Sequence, residues 1–539
     1  MTKIEYQDGT TEEYGYDEWQ NCIYEKNRRD AVTRRTFTED GHKIKKEFAN
    51  GLTINYAYDG NGNCTKEWDN AGGCTRYRYD ENGNLAEKSI LCDAKHAHYK
   101  TLRYGYRRNG SLQWEEDAEG NRTEYYFSTL EDPEDSQFVP RVCISPQGYE
   151  FRHSYDKIGR RIRTETVQGI TEYRYNGLHY VSSIKDPEGN VKREERDNLG
   201  NLIRKYSGRQ SGGSVGYSYR YDYLDRLIWV RDPLGREKTF IRDGRGNVLR
   251  ESLLAKRTIP ETAVPVIRST YDANDHLLET IYPDGGIWKE KHDAEGCLVT
   301  EEMPDQNVVH TVYDSMDRIL KQTDTDGKTI REYEYDLKGN VIREVDALGQ
   351  DKCFRYDEAG RMTGVWEYVS PDEYRVTFYK YDDMDHVTEE KRGLHGVGKF
   401  ETPTRYLTIK KTYDKEGRLV TVSDMSMEMQ YTYDMMNNRT SETAVIDDRG
   451  TQRTVYYRYD KNGRLVEKKE DAGDKTLSVT AYTYDASDNL TGVTLPEGGK
   501  IFLIYDEAER LIYKLEREDR HHILRGIRYT YADFCPVSA

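Results

Sequence analysis

Aspartate and asparagine recur in short turns along the chain, and oxygen-rich turns of this kind could bind calcium. One segment, Asp324-Thr-Asp-Gly327, puts glycine at loop position 6 of an EF-hand alignment, but position 1 is then Gln322 and position 12 is Tyr333. A second alignment, from Asp59, puts Cys64 where the glycine is required. Neither alignment supplies the ligands that the EF-hand needs. We therefore predict no metal site and interpret these side chains as turn formers.

The remaining residue types that do chemistry are dispersed. Of the twelve histidines only His521 and His522 are adjacent, and neighbours on a strand face opposite ways, so the pair is a poor chelator. His-Glu-x-x-His, Gly-x-Ser-x-Gly and a phosphate-binding glycine-rich loop are all absent from the sequence. We predict no catalytic residue and no cofactor, and expect that the chain is not an enzyme.

The eight cysteines are too sparse for a disulfide framework. No two of them form a Cys-x-x-Cys pair, and their spacings fit no zinc ribbon. We interpret them as free thiols. Their positions are Cys22, Cys64, Cys74, Cys92, Cys143, Cys297, Cys353 and Cys535.

Net charge and hydropathy exclude two classes of partner. The chain carries a net charge of −16 without a basic stripe, so we expect no nucleic-acid partner. Its best apolar run, Ile501–Tyr505, is far too short to span a membrane, and Met1 is not followed by the apolar segment of a secretory signal.

The elements that position these turns follow from a repeat. The 539 residues include 46 tyrosines but only 11 phenylalanines, and 33% of the chain is charged. Tyr-Asp occurs fifteen times, against about four expected from composition, and several copies lie 20 to 22 residues apart. The tyrosines stand at 16, 58, 79, 155, 221, 271, 313, 335, 356, 381, 413, 433, 459, 484 and 505. Phe37 and His292 occupy the same position in two degenerate copies. We therefore predict one array, residues 1–539.

The position four residues after the tyrosine predicts a left-handed backbone. It holds glycine in seven copies and Asp or Asn in six, while Gln20 and Glu509 depart. Asp-x-x-Gly therefore predicts a type I turn closed by a glycine bulge, a common hairpin connection. The structural repeat motif is clearest in Tyr58, Asp59, Gly62, Tyr79, Asp80, Gly83, Tyr155, Asp156, Gly159, Tyr335, Asp336, Gly339, Tyr356, Asp357, Gly360, Tyr413, Asp414, Gly417, Tyr459, Asp460 and Gly463.

A second turn falls about half a period later, as in Asp186-Pro-Glu-Gly189 and Asp232-Pro-Leu-Gly235. Between the turns, segments such as Tyr77-Arg-Tyr79 alternate aromatic and polar residues and predict short strands. The fold class is therefore all-β: a continuous antiparallel sheet of hairpins that must coil because strand twist accumulates. We expect each tyrosine to bury its ring between hairpins and to leave its hydroxyl near water.

The residue five positions after the tyrosine is Asn, Arg or His in all fifteen copies, as in Asn63, Arg160 and His276. Each of these side chains can donate a hydrogen bond. We interpret them as bonding a neighbouring turn or the motif aspartate. A row of ligand-binding side chains is the alternative.

Tyr79-Asp-Glu-Asn-Gly-Asn-Leu85 and Tyr459-Asp-Lys-Asn-Gly-Arg-Leu465 resemble the YD repeat of RHS repeat proteins. That family includes bacterial Rhs polymorphic toxins, wall-associated proteins, the cages of insecticidal toxin complexes, and teneurins. The resemblance covers essentially the whole chain. It implies a sheet that spirals into a hollow shell, open or closed, and in the bacterial members the shell encloses a toxic C-terminal domain.

The chain also departs from that family. Bacterial members follow their repeats with a self-cleaving core segment around Asp-Pro-x-Gly-Leu, whereas here Asp232-Pro-Leu-Gly235 is followed by Arg236, and we interpret it as a turn. The sequence ends at 533–539 without such a segment, a toxin domain or a capping module. We expect an incomplete gene product, a truncated gene, or a carrier segment from a split locus.

Irregular insertions are expected near 131–150, 206–217, 252–268 and 393–405. They are interpreted as surface loops or as contacts to a cargo or partner.

The function that the resemblance implies is a non-catalytic shell that encapsulates or presents a toxin or effector. The alternative is a cell-surface adhesion module that binds glycans or another surface protein through its aromatic residues. By the same resemblance the protein is secreted or attached to the cell surface, after a cytoplasmic stage since no signal peptide is seen. The oligomeric state is left open.

Overall fold

A computed structural model of the chain describes residues 2–6, 9–128, 139–206, 216–252, 255–256, 264–445, 452–471, 478–518 and 523–531. These residues contain 47 β-strands and no helix. The described part of the chain accordingly offers no helix that could cross a membrane. The prediction of an all-β chain is confirmed.

The strands in the first half of the chain are β1 (Thr2–Glu5), β2 (Thr11–Tyr16), β3 (Cys22–Lys26), β4 (Val32–Phe37), β5 (Lys43–Glu47), β6 (Thr53–Tyr58), β7 (Cys64–Asp69), β8 (Cys74–Tyr79), β9 (Leu85–Asp93), β10 (His98–Tyr106), β11 (Leu112–Glu116), β12 (Arg122–Tyr126), β13 (Val142–Ile144), β14 (Glu150–Tyr155), β15 (Arg161–Thr166), β16 (Gly169–Tyr175), β17 (Val181–Lys185), β18 (Val191–Arg196), β19 (Leu202–Tyr206), β20 (Tyr217–Tyr221), β21 (Leu227–Arg231), β22 (Arg236–Arg242), β23 (Val248–Ser252) and β24 (Ala255–Lys256).

The strands in the second half are β25 (Val266–Tyr271), β26 (Leu277–Ile281), β27 (Ile287–His292), β28 (Leu298–Glu302), β29 (Val308–Tyr313), β30 (Ile319–Thr323), β31 (Thr329–Tyr335), β32 (Val341–Asp346), β33 (Asp351–Tyr356), β34 (Met362–Ser370), β35 (Glu373–Tyr381), β36 (Val387–Gly393), β37 (Tyr406–Tyr413), β38 (Leu419–Ser423), β39 (Glu428–Tyr433), β40 (Arg439–Val445), β41 (Gln452–Tyr459), β42 (Leu465–Asp471), β43 (Ser478–Tyr484), β44 (Leu490–Thr494), β45 (Lys500–Tyr505), β46 (Leu511–Arg517) and β47 (Ile523–Arg528).

The chain divides into two compact units, each built from distant stretches of sequence. Unit 1 comprises Met1–Tyr125, His276–Leu278 and Trp288–Met425. Unit 2 comprises Tyr126–Asp275, Glu279–Ile287 and Ser426–Ala539. Within each unit, strands that follow one another along the chain pair antiparallel, as β6 does with β7 and β41 with β42. The predicted hairpin sheet is confirmed.

The tyrosine of each repeat marks a shift in strand register. Ala57 pairs with Lys66, whereas the next residue, Tyr58, pairs with Cys64. This one-residue shift makes Thr65 the extra residue of a β-bulge in β7, just beyond the turn. The same shift occurs at Phe37 and His292, so both degenerate copies belong to the repeat.

The turn geometry agrees with the predicted left-handed position. Gly62 has φ +86° and Gly463 has φ +79°. Gln20 and Glu509, whose side chains do not favour this region, also adopt it, with φ of 67° and 62°. The repeat therefore imposes the conformation even where the residue type opposes it, because the hairpin register leaves no other way to close the turn.

In unit 1 the two long stretches of sequence meet turn to turn. Arg29, in the turn that follows β3, contacts the carboxylates of Asp293 and Asp317. In the same way Asn50 donates from Nδ2 to the backbone oxygen of Leu337 at 2.9 Å. These partners lie 264 to 288 residues apart in sequence.

Unit 2 has the same arrangement. Asn462 donates from Nδ2 to Asp186 Oδ2 at 2.7 Å, and the neighbouring Lys461 amide donates to Glu188 Oε1 at 2.9 Å. Asp186 and Glu188 belong to a second turn, whereas Lys461 and Asn462 belong to a motif turn. The two kinds of turn thus have different contacts. In each unit, second turns from the N-terminal stretch of sequence contact motif turns from the C-terminal stretch.

The largest fully buried side chain, Trp366, lies in a small core on β33, β34 and β35. Trp366 and Val376 are both 0% exposed and pack with Cys353 and Tyr374. Most other strands are only half-buried. Among the described residues, the buried hydrophobic cluster is therefore local and lies within a sheet whose other strands are mostly half-buried.

The predicted insertion at 393–405 folds onto this core. Val397 pairs with Tyr374, and the Trp366 indole N–H donates to the backbone oxygen of Glu401 at 3.1 Å. This insertion therefore covers part of its own sheet. Much of the other three insertions, namely 131–138, 207–215, 253–254 and 257–263, lies outside the described residues, as do His521–His522, Cys535 and the C-terminal segment 533–539.

Candidate functional site

The candidate site is the motif turn, which the chain repeats along its length. In Asp80, the carboxylate oxygen Oδ1 accepts hydrogen bonds from the backbone N–H of Asn82 and Asn84, at 2.9 and 2.8 Å. The other oxygen, Oδ2, accepts from Asn84 Nδ2 at 2.9 Å. The aspartate therefore closes its own turn, and these donors occupy the carboxylate that a calcium ion would need.

Where arginine replaces asparagine five positions after the tyrosine, the turn also contacts the next one. Arg464 donates from Nε to Asp460 Oδ2 at 2.7 Å within its own turn. Its Nη1 then reaches Asp485 O and Asp488 Oδ1 of the following motif turn, both at 2.9 Å. Arg361 has the same three contacts, to Asp357 in its own turn and to Asp382 and Asp385 in the next. The predicted bonding to the motif aspartate or a neighbouring turn is confirmed.

The arginine five positions after the motif tyrosine also packs against the tyrosine of the next repeat. The Arg318 guanidinium lies 4.5 Å from the centre of the Tyr335 ring, and His386 stacks on Tyr413 in the corresponding position at 4.5 Å. A cation over an aromatic ring is attracted by the electron-rich face of the ring. Further pairs of this kind are Arg160 with Tyr175, Arg361 with Tyr381, Arg464 with Tyr484, and Arg510 with Tyr531.

The motif tyrosine binds back to the preceding repeat. Tyr79 donates its hydroxyl to the backbone oxygen of Cys64, at 3.0 Å. The ladder between β7 and β8 ends at Lys66, so the Cys64 carbonyl lies beyond the last backbone pair. The hydroxyl of Tyr79, a half-buried residue, therefore has a backbone partner within the sheet, and its position near water stays a prediction.

This contact recurs at a constant spacing: the acceptor stands six residues after the tyrosine position of the preceding repeat. The acceptors are Lys43 for Tyr58, Pro140 for Tyr155, Leu298 for Tyr313, Ile319 for Tyr335, Val341 for Tyr356, Met362 for Tyr381, Val387 for Tyr413, Arg439 for Tyr459 and Leu465 for Tyr484. Among these acceptors Pro140 does not follow the spacing, because it lies within the irregular stretch 131–150.

The surroundings of the motif favour a protonated tyrosine and an ionised aspartate. Burial raises the pKa of Tyr79 and Tyr356, which keeps them as neutral hydroxyl donors. The side-chain hydrogen bond from Asn84 lowers the pKa of Asp80. For Asp314, burial opposes ionisation, yet hydrogen bonds from Arg318 hold the pKa below its usual value.

Each of the seven predicted motif copies brings its tyrosine, aspartate and glycine together around one turn. In these copies the glycine has positive φ and the aspartate accepts the backbone N–H four residues on. Turns in which arginine stands at the tyrosine position lack the Tyr-Asp dipeptide and were not predicted. One is Arg242, whose Nε donates to the Leu227 carbonyl at 3.2 Å. The intact Asp243-x-x-Gly246-Asn247 could have revealed it.

A second polar cluster lies at the core of unit 1, around the buried Asp351. Its carboxylate accepts from the Tyr374 hydroxyl at 2.6 Å, from Arg343 Nε at 3.1 Å, and from Lys399. Burial opposes ionisation, but these donors outweigh it and lower the pKa of Asp351 to about 2. Burial and the bond to Asp351 raise the pKa of Tyr374 to about 12. The cluster ties the 393–405 segment to its sheet.

Two protein-family models match parts of the chain. The Teneurin YD-shell model matches residues 239–400, and the RHS Repeat model matches residues 48–89 and 459–500. These three stretches of the chain are therefore similar to RHS and YD-shell repeats.

Two curated bacterial relatives are similar to part of this chain. Probable deoxyribonuclease RhsA of Dickeya dadantii (strain 3937) is 25% identical over 272 residues, which cover 48% of this chain and 17% of the relative. Double-stranded DNA deaminase toxin A of Burkholderia cenocepacia (strain H111) is 25% identical over 286 residues, 47% of this chain and 18% of the relative. Less than a fifth of each relative is therefore represented.

The chain is also similar in fold to solved structures of toxin complexes. The crystal structure of TcdB2-TccC3 matches 97% of this chain and 32% of its own chain, with a TM-score of 0.51 at 14% identity. A Photorhabdus luminescens Tc holotoxin pore matches 96% of this chain and 32% of its own, with a TM-score of 0.50 at 14% identity. At these identities the similarity establishes the fold alone.

Tyr356→Phe should lower the free energy of unfolding by about 1–2 kcal/mol, because it removes the donor to the Val341 carbonyl and leaves that oxygen unpaired. The matched control is Tyr223→Phe. Tyr223 is 86% exposed, and the change should alter stability by less than about 0.5 kcal/mol. Urea unfolding followed by fluorescence measures both. Equal effects of the two substitutions would contradict a role for the motif hydroxyl.

Acid should destabilise the fold through the motif aspartates. Hydrogen bonds depress the folded-state pKa of Asp59, Asp80 and Asp314. Their stabilisation is therefore complete above the unfolded value of about 3.9 and is lost as pH falls through the folded value. We expect the thermal midpoint to fall steeply below about pH 4.

The control is Asp80→Asn. This variant should have a lower thermal midpoint than the natural chain at pH 7, but its midpoint should fall less on acidification. A midpoint that is unchanged from pH 7 to 3, in both proteins, would contradict this role of the aspartates.

Proposed function

We propose that this chain is the non-catalytic repeat array of a toxin system, and that it encapsulates or presents a toxin or effector polypeptide. The observation that carries the proposal is the similarity in fold to TcdB2-TccC3 over 97% of the chain. The two family-model matches and the relatives, whose names describe a deoxyribonuclease and a deaminase toxin, support the same class.

The use of side chains within the repeat supports a structural role. Motif aspartates close turns, motif arginines and histidines connect successive turns, and motif tyrosines bind backbone carbonyls. In the described ranges, no three His, Cys, Asp or Glu side chains are grouped to hold a metal ion. We propose on this basis that the array itself carries out no reaction, and that any enzymatic activity belongs to the partner.

The proposed partner is a polypeptide cargo, and the proposed location is outside the producing cell or at its surface. A nucleic-acid partner is disfavoured by the net charge of −16. Binding of a glycan or a cell-surface protein is the alternative. It would require tyrosine faces open to a sugar, whereas motif tyrosines such as Tyr79 and Tyr356 are half-buried and hydrogen-bonded to the backbone.

The test co-expresses the chain with the polypeptide encoded directly downstream of residue 539 in its natural locus, with an affinity tag on that polypeptide. We expect the two to co-purify and the cargo to be cleaved by trypsin at least about tenfold more slowly than cargo alone. No co-purification, or an equal cleavage rate, would contradict encapsulation. Retention of the isolated chain on a glycan array, without cargo protection, would favour the adhesion alternative.

A further inference from the structure

The arginine between the two tyrosines of a Tyr-Arg-Tyr strand lies on the polar face of the sheet, where it normally has a partner on the next strand. Arg78 pairs with Glu87 at 3.1 Å, and Arg458 pairs with Glu467 at 3.3 Å. Each glutamate is directly opposite its arginine in the antiparallel register. Cross-strand neighbours of opposite charge stabilise one another.

Where the opposite residue is not acidic, an aromatic ring serves instead. Arg220 lies over the Trp229 ring at 4.4 Å, directly opposite it in the register. Arg355, which stands between Phe354 and Tyr356 on β33, likewise lies over the Trp366 ring at 4.6 Å. In these four strands, therefore, the guanidinium is neutralised or covered from within the chain.

Arg174 on β16 is the exception. The residue opposite it is Ser183 on β17, and on the other side of Ser183 stands Arg193 on β18. Two arginines thus flank one small residue, on strands separated by two strand spacings, or about 9.5 Å. Within the described part of the chain, neither Arg174 nor Arg193 has an ion pair, hydrogen bond or aromatic partner, and both are exposed.

The small side chain of Ser183 leaves a recess between these arginines, of about 360 Å³. One end of the recess is bounded by Val191 and by the ion pair of Lys185 with Glu172, at 3.3 Å. The one carboxylate in the lining is therefore engaged by a lysine of its own. Arg174 and Arg193 are left facing each other across Ser183.

The charge of the surrounding strands is opposite in sign to that of the chain. Residues 150–206, which span β14 to β19, contain 12 Lys and Arg against 9 Asp and Glu. The whole chain, by contrast, has a net charge of −16. An anion is therefore attracted to this region and repelled by most other parts of the protein.

We infer that this recess binds a phosphate group, held between the Arg174 and Arg193 guanidiniums with Ser183 as an additional hydroxyl donor. A tetrahedral anion presents oxygens to both sides at once. This suits two arginines that lie on β16 and β18, on either side of Ser183. A single carboxylate presents its two oxygens on one side and pairs with one guanidinium. The site is independent of the proposed cargo function.

The test is calorimetric titration of the full chain with inorganic pyrophosphate at low salt. Binding is expected, and Arg174→Gln or Arg193→Gln should each weaken it by about tenfold or more, the loss of one charge-assisted contact. The matched controls, Arg78→Gln and Arg458→Gln, remove arginines from the same position of the repeat and should leave affinity unchanged.

A third variant fills the recess. Ser183→Glu recreates the arginine–glutamate pair of the other strands, so it should fold normally and abolish binding of pyrophosphate. Circular dichroism verifies the fold, and the two arginine variants decide the question if Ser183→Glu fails to fold.

Three results would overturn the assignment. They are no binding by the natural chain, equal affinity of the natural chain and the recess variants, and tighter binding of a tetraglutamate peptide than of pyrophosphate.

Discussion

The carboxylate of the motif aspartate is the constraint on which the rest of the structure depends. One of its oxygens closes the turn by accepting backbone N–H groups, which holds the turn around its left-handed position. Its other oxygen accepts from the side chain five residues after the tyrosine. When that side chain is arginine, its guanidinium also donates to a backbone oxygen of the next motif turn and lies over the ring of the next motif tyrosine. The hydrogen bonds within each turn and the contacts between successive repeats thus form one network.

This network explains how a chain that is only 35% hydrophobic can fold. Tyrosine packs its apolar ring between hairpins and also donates a hydrogen bond to a carbonyl that lies beyond the end of the strand ladder. Each repeat therefore depends mainly on its neighbours, as in other repeat proteins, where stability is nearly a sum of local contributions. The buried cluster around Trp366 is the local exception, and there an insertion supplies the cover that neighbouring repeats supply elsewhere.

Much of this could be predicted from sequence because the repeat makes local geometry visible. The Gly62 position reveals a positive φ, and the Asn63 position reveals a donor next to an aspartate. The acceptor of the Tyr79 hydroxyl, the Cys64 carbonyl, could not be predicted, because it is set by strand register and not by residue type. The contact of Asn462 with Asp186 joins residues 276 apart, a separation that no local pattern encodes. The recess at Ser183 likewise becomes visible only when three strands are aligned.

The most direct test of the account compares two changes at Arg318, which donates to Asp314 in its own turn and to the Asp336 carbonyl of the next at 3.3 Å. Arg318→Asn keeps a donor of the kind found at Asn340, whereas Arg318→Leu keeps none. Amide hydrogen exchange is the measurement. Both variants should exchange faster at Gly339, in the next turn, but only Arg318→Leu should also exchange faster at residue 318 itself. If neither variant changes Gly339, successive turns are not coupled through the arginine, and the central claim is wrong.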